Sequence, residues 1–380
     1  MLERPTAESQ PLELAPKSRY IPEFDVMRGA AILFVIYLHS WFGPWQGVPH
    51  HELLYIHLIH IFAHSAVPVF FFISAFLLSR DRSTSFASFF TRKARRIYVP
   101  LMFWMLASLA YQVWQQGSLT VQMLKDFALF NISGQFYFVI VLVIFFVAFY
   151  FVRHWSTPQL RTLAIAAFML NLAMVFYYRV DPPSSVIGAV LSYRNPLMWV
   201  FSFAFGFYIG RSQGSLEWTR KLLWPALAGM AVIYASYVIA GEAFDQYPAS
   251  YFGVSVYLFA CLSLIVYPAV LMPILARAPG AAAVEPFRRL SRYSFAIYLV
   301  HQPFFISYFA HRLVSDNPHL NHDYFGLIAS LFAVGTVGVI VFVVVVSRIS
   351  PRFAREFMGV EPPRVFAPEP ASALVRSARS

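Results

Sequence analysis

A single cysteine, Cys261, in a chain of 380 residues rules out an intrachain disulfide framework and argues against a thiolate metal site. Charge is scarce as well: 12% of the residues are Asp, Glu, Lys or Arg, about half the roughly 25% of a soluble domain. That leaves too little polar surface to cover a water-soluble globule. Acidic residues are the rarer kind, 18 against 29 Lys and Arg, for a formal net charge of +11. A basic balance points first to nucleic acid. Here, however, the positive charges sit in loops between apolar runs, so nucleic acid is not an expected partner. A secretory leader pattern is lacking too. Residues 1–20 are polar and contain proline, so the first apolar run is expected to be a retained helix. No internal repeat is visible.

Apolar residues are abundant, at 59% with 40 Phe and a mean hydropathy of +0.60. Runs long enough to cross about 30 Å of hydrocarbon fall at 26–42, 56–79, 97–115, 135–152, 162–178, 195–210, 222–240, 251–276, 293–311 and 325–347. The last, with Val339-Ile-Val-Phe-Val-Val-Val-Val346 and no charge, is the clearest. The fifth and sixth are shorter and broken by Asn171 and Gly206. The expected fold is all-α: a polytopic integral membrane bundle of about ten transmembrane helices.

Orientation follows from Lys and Arg, which collect on the cytoplasmic side. Alternate connections, counting from the N-terminal tail, hold 24 of the 29, and the others hold Lys125, Arg179, Arg194 and Arg312. The last one, Arg28, lies inside the first helix. Both termini are therefore expected in the cytoplasm. The chain divides into a tail at 1–21, a membrane domain at 22–350 and a second cytoplasmic tail at 351–380. After Glu361 that tail is rich in Pro, Ala, Ser and Arg and is expected to be disordered.

The first helix reads Asp25-Val-Met-Arg28-Gly followed at eleven residues from the arginine by His39. Eleven steps of 100° bring the two onto one face, roughly 16 Å apart along the axis. Ionisable groups at membrane depth are costly and usually face a cavity or the bundle interior. Two readings stand: snorkelling to opposite headgroup layers, or one shared cavity. The second run carries His57, His60 and His64 within about 60° of each other. Spacings of three and four suit a metal, yet no carboxylate or cysteine accompanies them at that depth. Polar lining of an outward-facing cleft is the preferred reading and no metal site is expected. The basic cluster Arg92-Lys93-Ala-Arg95-Arg96 serves either as a cytoplasmic anchor or as a grip on phosphates. His301, in the ninth run ahead of Pro303, reads as a structural histidine beside a proline kink.

Together these pieces resemble the acyltransferase-3 family of multipass bacterial membrane proteins, relatives of the O-antigen acetylases. The resemblance rests on Asp25-x-x-Arg28-Gly with His39; on Pro68-x-Phe-Phe-Phe-Ile-Ser74-x-Phe; on Lys93-x-x-Arg96-Ile-x-x-Pro100; on Gln135-Phe-Tyr-Phe; and on Tyr293-Ser-Phe-x-Ile-Tyr298-Leu-x-His301-x-Pro303. These follow one another in the family's order from residue 22 to about 350. Ala75 stands where the family usually has glycine, the basic pair before the third helix falls on either Arg92 with Arg95 or Lys93 with Arg96, and the closing Arg-x-x-Glu-x-Pro-like segment is poorly matched.

The resemblance implies transfer of an acyl group, often acetyl, from cytoplasmic acyl-CoA to a hydroxyl of a carbohydrate outside. The expected partners are acyl-CoA, an envelope polysaccharide or lipid-linked glycan, and the lipid bilayer. No permanently bound cofactor is expected, and the expected location is the inner, cytoplasmic membrane. His39 becomes the expected general base, with Arg28 aligning the thioester end and Asp25 holding Arg28. Arg92, Lys93, Arg95 and Arg96 become the expected CoA-phosphate site, and His64, Ser74, Tyr298 and His301 candidates for the substrate cleft. The competing reading is an exporter of a polysaccharide or lipid-glycan without chemistry. Against it stand the lack of paired Gly/Pro-interrupted half-repeats and of an intramembrane acidic residue.

Overall fold

The computed structural model describes residues 20–40, 50–81, 85–180, 194–213, 216–244, 253–278, 282–309, 312 and 324–360. Most of both tails, and the side chains of His50 and His51, lie outside the described residues. Among those described there is no strand.

Among the described residues the α-helices are, in order, α1 Pro22–His39, α2 His50–Ala63, α3 Ala66–Leu78, α4 Phe86–Lys93, α5 Val99–Gln116, α6 Val121–Ala128, α7 Tyr137–Val152 and α8 Thr157–Val180. They continue as α9 Val200–Ser212, α10 Trp218–Lys221, α11 Leu223–Phe244, α12 Val254–Arg277, α13 Glu285–Ser291, α14 Ser294–Val300, α15 Tyr324–Ile349 and α16 Pro351–Phe357. Each apolar run of the sequence falls on one or two of them. Among the described residues six helical stretches are long and apolar enough to cross a membrane: His57–Leu78, Phe86–Gln116, Gly134–Val152, Thr157–Tyr177, Val254–Arg277 and Tyr324–Ile349. With backbone groups satisfied inside each helix, this is the only open architecture hydrocarbon tolerates. The chain is a multipass helical membrane protein.

Prolines decide where the helices depart from regularity, because each removes the N–H that would meet the carbonyl four residues back. Pro68 leaves the His64 carbonyl unmatched, and the second run breaks there into α2 and α3 with a turn at His64 and Ser65. Pro100 and Pro303 act the same way on the carbonyls of Arg96 and Leu299. A π-helix results in each case, at Ala94–Tyr98 just ahead of Pro100 and at His301–Ile306 around Pro303. Such wide turns are rare and are enriched at functional sites. Here one carries Arg95 and Arg96 and the other begins at His301.

α1 is the central helix, packed against α2, α3, α12, α13, α14 and α15. Close approach is made by small residues, as in membrane bundles generally. Gly206, which in the sequence reads as a break, lies inside α9, where an added Cβ would stand 2.3 Å from the Phe72 carbonyl oxygen. The core is dominated by aromatic edge contacts: Phe24 meets Phe76 at 5.0 Å, and Phe145 and Phe149 each meet Phe203 at 4.8 Å. Asn171, the other apparent break, bridges α8 to α9: its amide N–H donates to the Leu197 carbonyl, and its Oδ1 accepts from the Phe201 backbone at 3.0 Å. The second tail starts at 351 as α16. It docks on α5, where the Trp104 indole N–H donates to the Phe357 carbonyl at 2.8 Å.

Candidate active site

α1 begins with a proline at its first turn and two acidic side chains, Glu23 and Asp25, at the positive end of its dipole. Asp25 is buried and accepts hydrogen bonds from the Tyr20 hydroxyl at 2.6 Å and the Ser291 hydroxyl at 3.1 Å. Burial and the neighbouring carboxylate push the Tyr20 phenol up to about 12, so it remains a donor. Asp25 thereby fastens the start of α1 to the end of α13. One turn on, Gly29 permits the same contact: a Cβ there would stand 2.0 Å from the Phe287 carbonyl oxygen. Gly29→Ala is expected to cost about 1–3 kcal/mol through overpacking, read as a lower thermal midpoint of the purified protein.

Beside this junction lies a cavity of about 250 Å³. Four cations line it: Arg28 from α1, Lys93 and Arg96 from the α4 segment, and Arg292 after α13. Among the described residues no carboxylate lines it. Lys93 is held by apolar surface, its ammonium 5.0 Å from the Phe146 ring centroid. Ser74 and Tyr298 also face the cavity, and Gly359 closes one side. Gly359 has φ +66° and a Cβ position only 2.5 Å from Phe295, so the strap after α16 can lie against α14 only as glycine.

The basic cluster thus divides. Lys93 and Arg96 face the cavity. Arg92 and Arg95 are exposed and do not line it, and Arg92 reaches Asp81 at 3.4 Å. Arg292, read from the sequence only as a loop charge, joins the cavity instead.

The inner end is formed by Tyr298, whose hydroxyl donates to the Gln135 carbonyl. Gln135, named in the sequence but given no role there, is 1% exposed. Tyr298→Phe keeps the ring against Phe138 (5.5 Å) and removes the donor. A loss of about 1–3 kcal/mol is expected, measurable by thermal unfolding alongside the transfer rate.

One turn beyond Tyr298 sits His301, fully buried, its ring centroid 5.0 Å from that of His39. His301 Nδ1 contacts the carbonyl oxygens of Tyr298 at 2.8 Å and Ile297 at 3.2 Å. A carbonyl only accepts, so Nδ1 carries the hydrogen and Nε2 holds a lone pair. That Nε2 is buried with no hydrogen-bond partner among the described residues, as are Gln135 Nε2 and Gln302 Oε1. Buried polar atoms left open in this way normally meet a ligand or a water.

The histidines of the second run stand apart from this pair. His57, His60 and His64 are each buried. His60 and His64 meet Nε2 to Nε2 at 2.5 Å, and His57 Nδ1 meets the Tyr237 hydroxyl at 3.1 Å. His64 borders a separate space of about 20 Å³ between α3, α8, α9 and α12. Among the described residues no group of three His, Cys, Asp or Glu is placed to hold a metal.

The acyltransferase-3 family model, an acyltransferase domain, matches residues 21–348. The chain belongs to that family. No curated protein and no solved structure matches it. The matched span takes in α1 to α15, and with it every candidate site residue except the Gly359 strap, so this membrane acyltransferase carries the cavity and the histidine pair within its family domain.

Proposed function

We propose that this acyltransferase moves an acyl group, acetyl or of similar size, from acyl-CoA in the cytoplasm to a hydroxyl of an extracytoplasmic carbohydrate. The observation that carries the reading is a cavity lined by four cations and ending at a tyrosine one turn from a histidine pair. Arg28, Lys93, Arg96 and Arg292 suit the phosphates of the donor, as guanidinium groups bind phosphate oxygens in pairs. A space of about 250 Å³ fits a slender arm better than a whole nucleotide thioester. The pantetheine arm would enter and the nucleotide would stay at the mouth. Arg28 and His39 stand on one continuous helix about 16 Å apart, a span such an arm can cover.

In the reaction, the acceptor hydroxyl loses its proton to an imidazole as its oxygen attacks the thioester carbonyl. The C–O bond forms, the C–S bond breaks, and the proton passes to the departing thiolate. His39 is the base in this scheme, and His301, its tautomer fixed by two carbonyls, lies alongside as a second proton acceptor. The orientation that fits is ten spans with both termini in the cytoplasm of a cell whose inner membrane holds the enzyme. The acceptor is then an envelope polysaccharide or a lipid-linked glycan.

The test uses vesicles containing the purified protein, radiolabelled acetyl-CoA and envelope glycan. Release of free CoA thiol with label on the glycan is expected. Glycan export that proceeds without label transfer or thiol release would replace this reading with a transporter.

A further inference from the structure

α1 has a second lined face. Turned away from Arg28, Met27, Ala31 and Phe34 form one wall of a groove of about 360 Å³, closed by Val270 and Leu271 of α12 and by Phe287 of α13. Its polar residues, Ser65 and Tyr267, are hydrogen-bonded to each other at 3.0 Å, so the groove offers only hydrocarbon. Along α1 it extends from Val26 to Phe34, about 12 Å, against the roughly 15 Å depth of one leaflet's chains. Val270 and Ile274, one turn apart on α12, are 40% and 41% exposed. The mouth therefore opens sideways toward lipid.

The end of the groove near α13 is cationic. Leu275 and Val284 pack together there beside Phe287. Arg277 follows Leu275 by two residues and is exposed, and Arg288 and Arg289 directly follow Phe287. Glu285 faces Arg289 at 2.9 Å and Arg288 at 3.4 Å, one carboxylate among three guanidinium groups. Basic groups at a helix end beside a hydrocarbon groove are the pattern that binds acidic headgroups.

We propose that this groove seats one acyl chain of an anionic phospholipid, with its phosphate at Arg277 and Arg289. The lipid would bridge α12, α13 and the back of α1, the helix that carries Arg28 and His39. It is a site distinct from the cavity lined by Arg28.

The test is binding of spin-labelled phosphatidylglycerol and phosphatidylcholine to the full-length protein in mixed vesicles. Phosphatidylglycerol is expected to be preferred by roughly thirtyfold, the effect of two arginines near the membrane surface. Arg277→Gln with Arg289→Gln should reduce the preference to near unity. Val270→Trp, at the lipid-facing mouth, and Ala31→Trp, inside the groove, should expel either lipid. Millimolar CoA or inorganic phosphate should displace neither. Equal binding of the two lipids to the unaltered protein would mark ordinary boundary lipid and overturn the proposal. Displacement by CoA would do the same, assigning the arginines to the donor. Retention of phosphatidylglycerol by both tryptophan variants would also refute it.

Discussion

His39→Ala is expected to lower acyl transfer by about 10²- to 10⁴-fold, the usual contribution of a positioned general base, while the protein still inserts and unfolds at nearly its original temperature. His39 is only partly buried at the end of α1, so its removal leaves a small change in packing. His301→Gln is expected to lower transfer comparably, because its ring stands 5.0 Å from His39 and its open Nε2 is lost. The two changes together should cost little more than either alone, as groups acting as one unit are strongly non-additive. Mass spectrometry of envelope glycans gives the yield in cells, and thiol release in vesicles gives the rate. If His39→Ala retained transfer within tenfold of the unaltered enzyme, the proton would be leaving by another route. If the double variant fell by the product of the single effects, the two imidazoles would be acting independently.

The second large effect concerns the donor. Neutralising Arg28, Lys93, Arg96 or Arg292 one at a time is expected to raise the apparent KM for acyl-CoA by about ten- to a hundredfold. That range follows from roughly 1.5–3 kcal/mol for a hydrogen bond to a charged group at about 1.4 kcal/mol per tenfold. Arg92→Gln and Arg95→Gln serve as controls, since neither side chain lines the cavity and both are exposed. Their effect should stay within about threefold, the scale of a surface charge. Equal effects across all six positions would mean that the loop acts as a diffuse positive field, and a response to added salt would then be similar in every variant.

Much of this was visible in the amino-acid order. Hydropathy located every helical stretch that is long and apolar enough to span a membrane, and the arithmetic of 100° per residue put Arg28 and His39 on one face. The contact between His39 and His301 was not visible, because it joins helices far apart in the chain and lies at the start of the wide turn around Pro303. The sequence shows that proline as a kink, but its position relative to α1 is a matter of packing. Spacing left the basic pair open between Arg92 with Arg95 and Lys93 with Arg96; in the fold Lys93 and Arg96 line the cavity, and Arg92 and Arg95 do not. Arg292 passed for a topological charge because loop arginines on the cytoplasmic side are common to every membrane protein. His57, His60 and His64 share a face, as their spacing requires, and the Tyr237 that His57 meets there lies 180 residues further along the chain, beyond the reach of any sequence pattern.

The unbroken course of α1 from Pro22 to His39 also limits how such a protein can change by descent. Inserting one residue between Arg28 and His39 would swing the histidine by 100° and carry it about 1.5 Å further, out of register with both His301 and the cavity. Deletions do the same in the opposite sense. Variation in acyl chain or acceptor must therefore arise by substitution in the surrounding walls, at positions such as Ser74, Phe138 or Leu142, while the length of this stretch stays fixed.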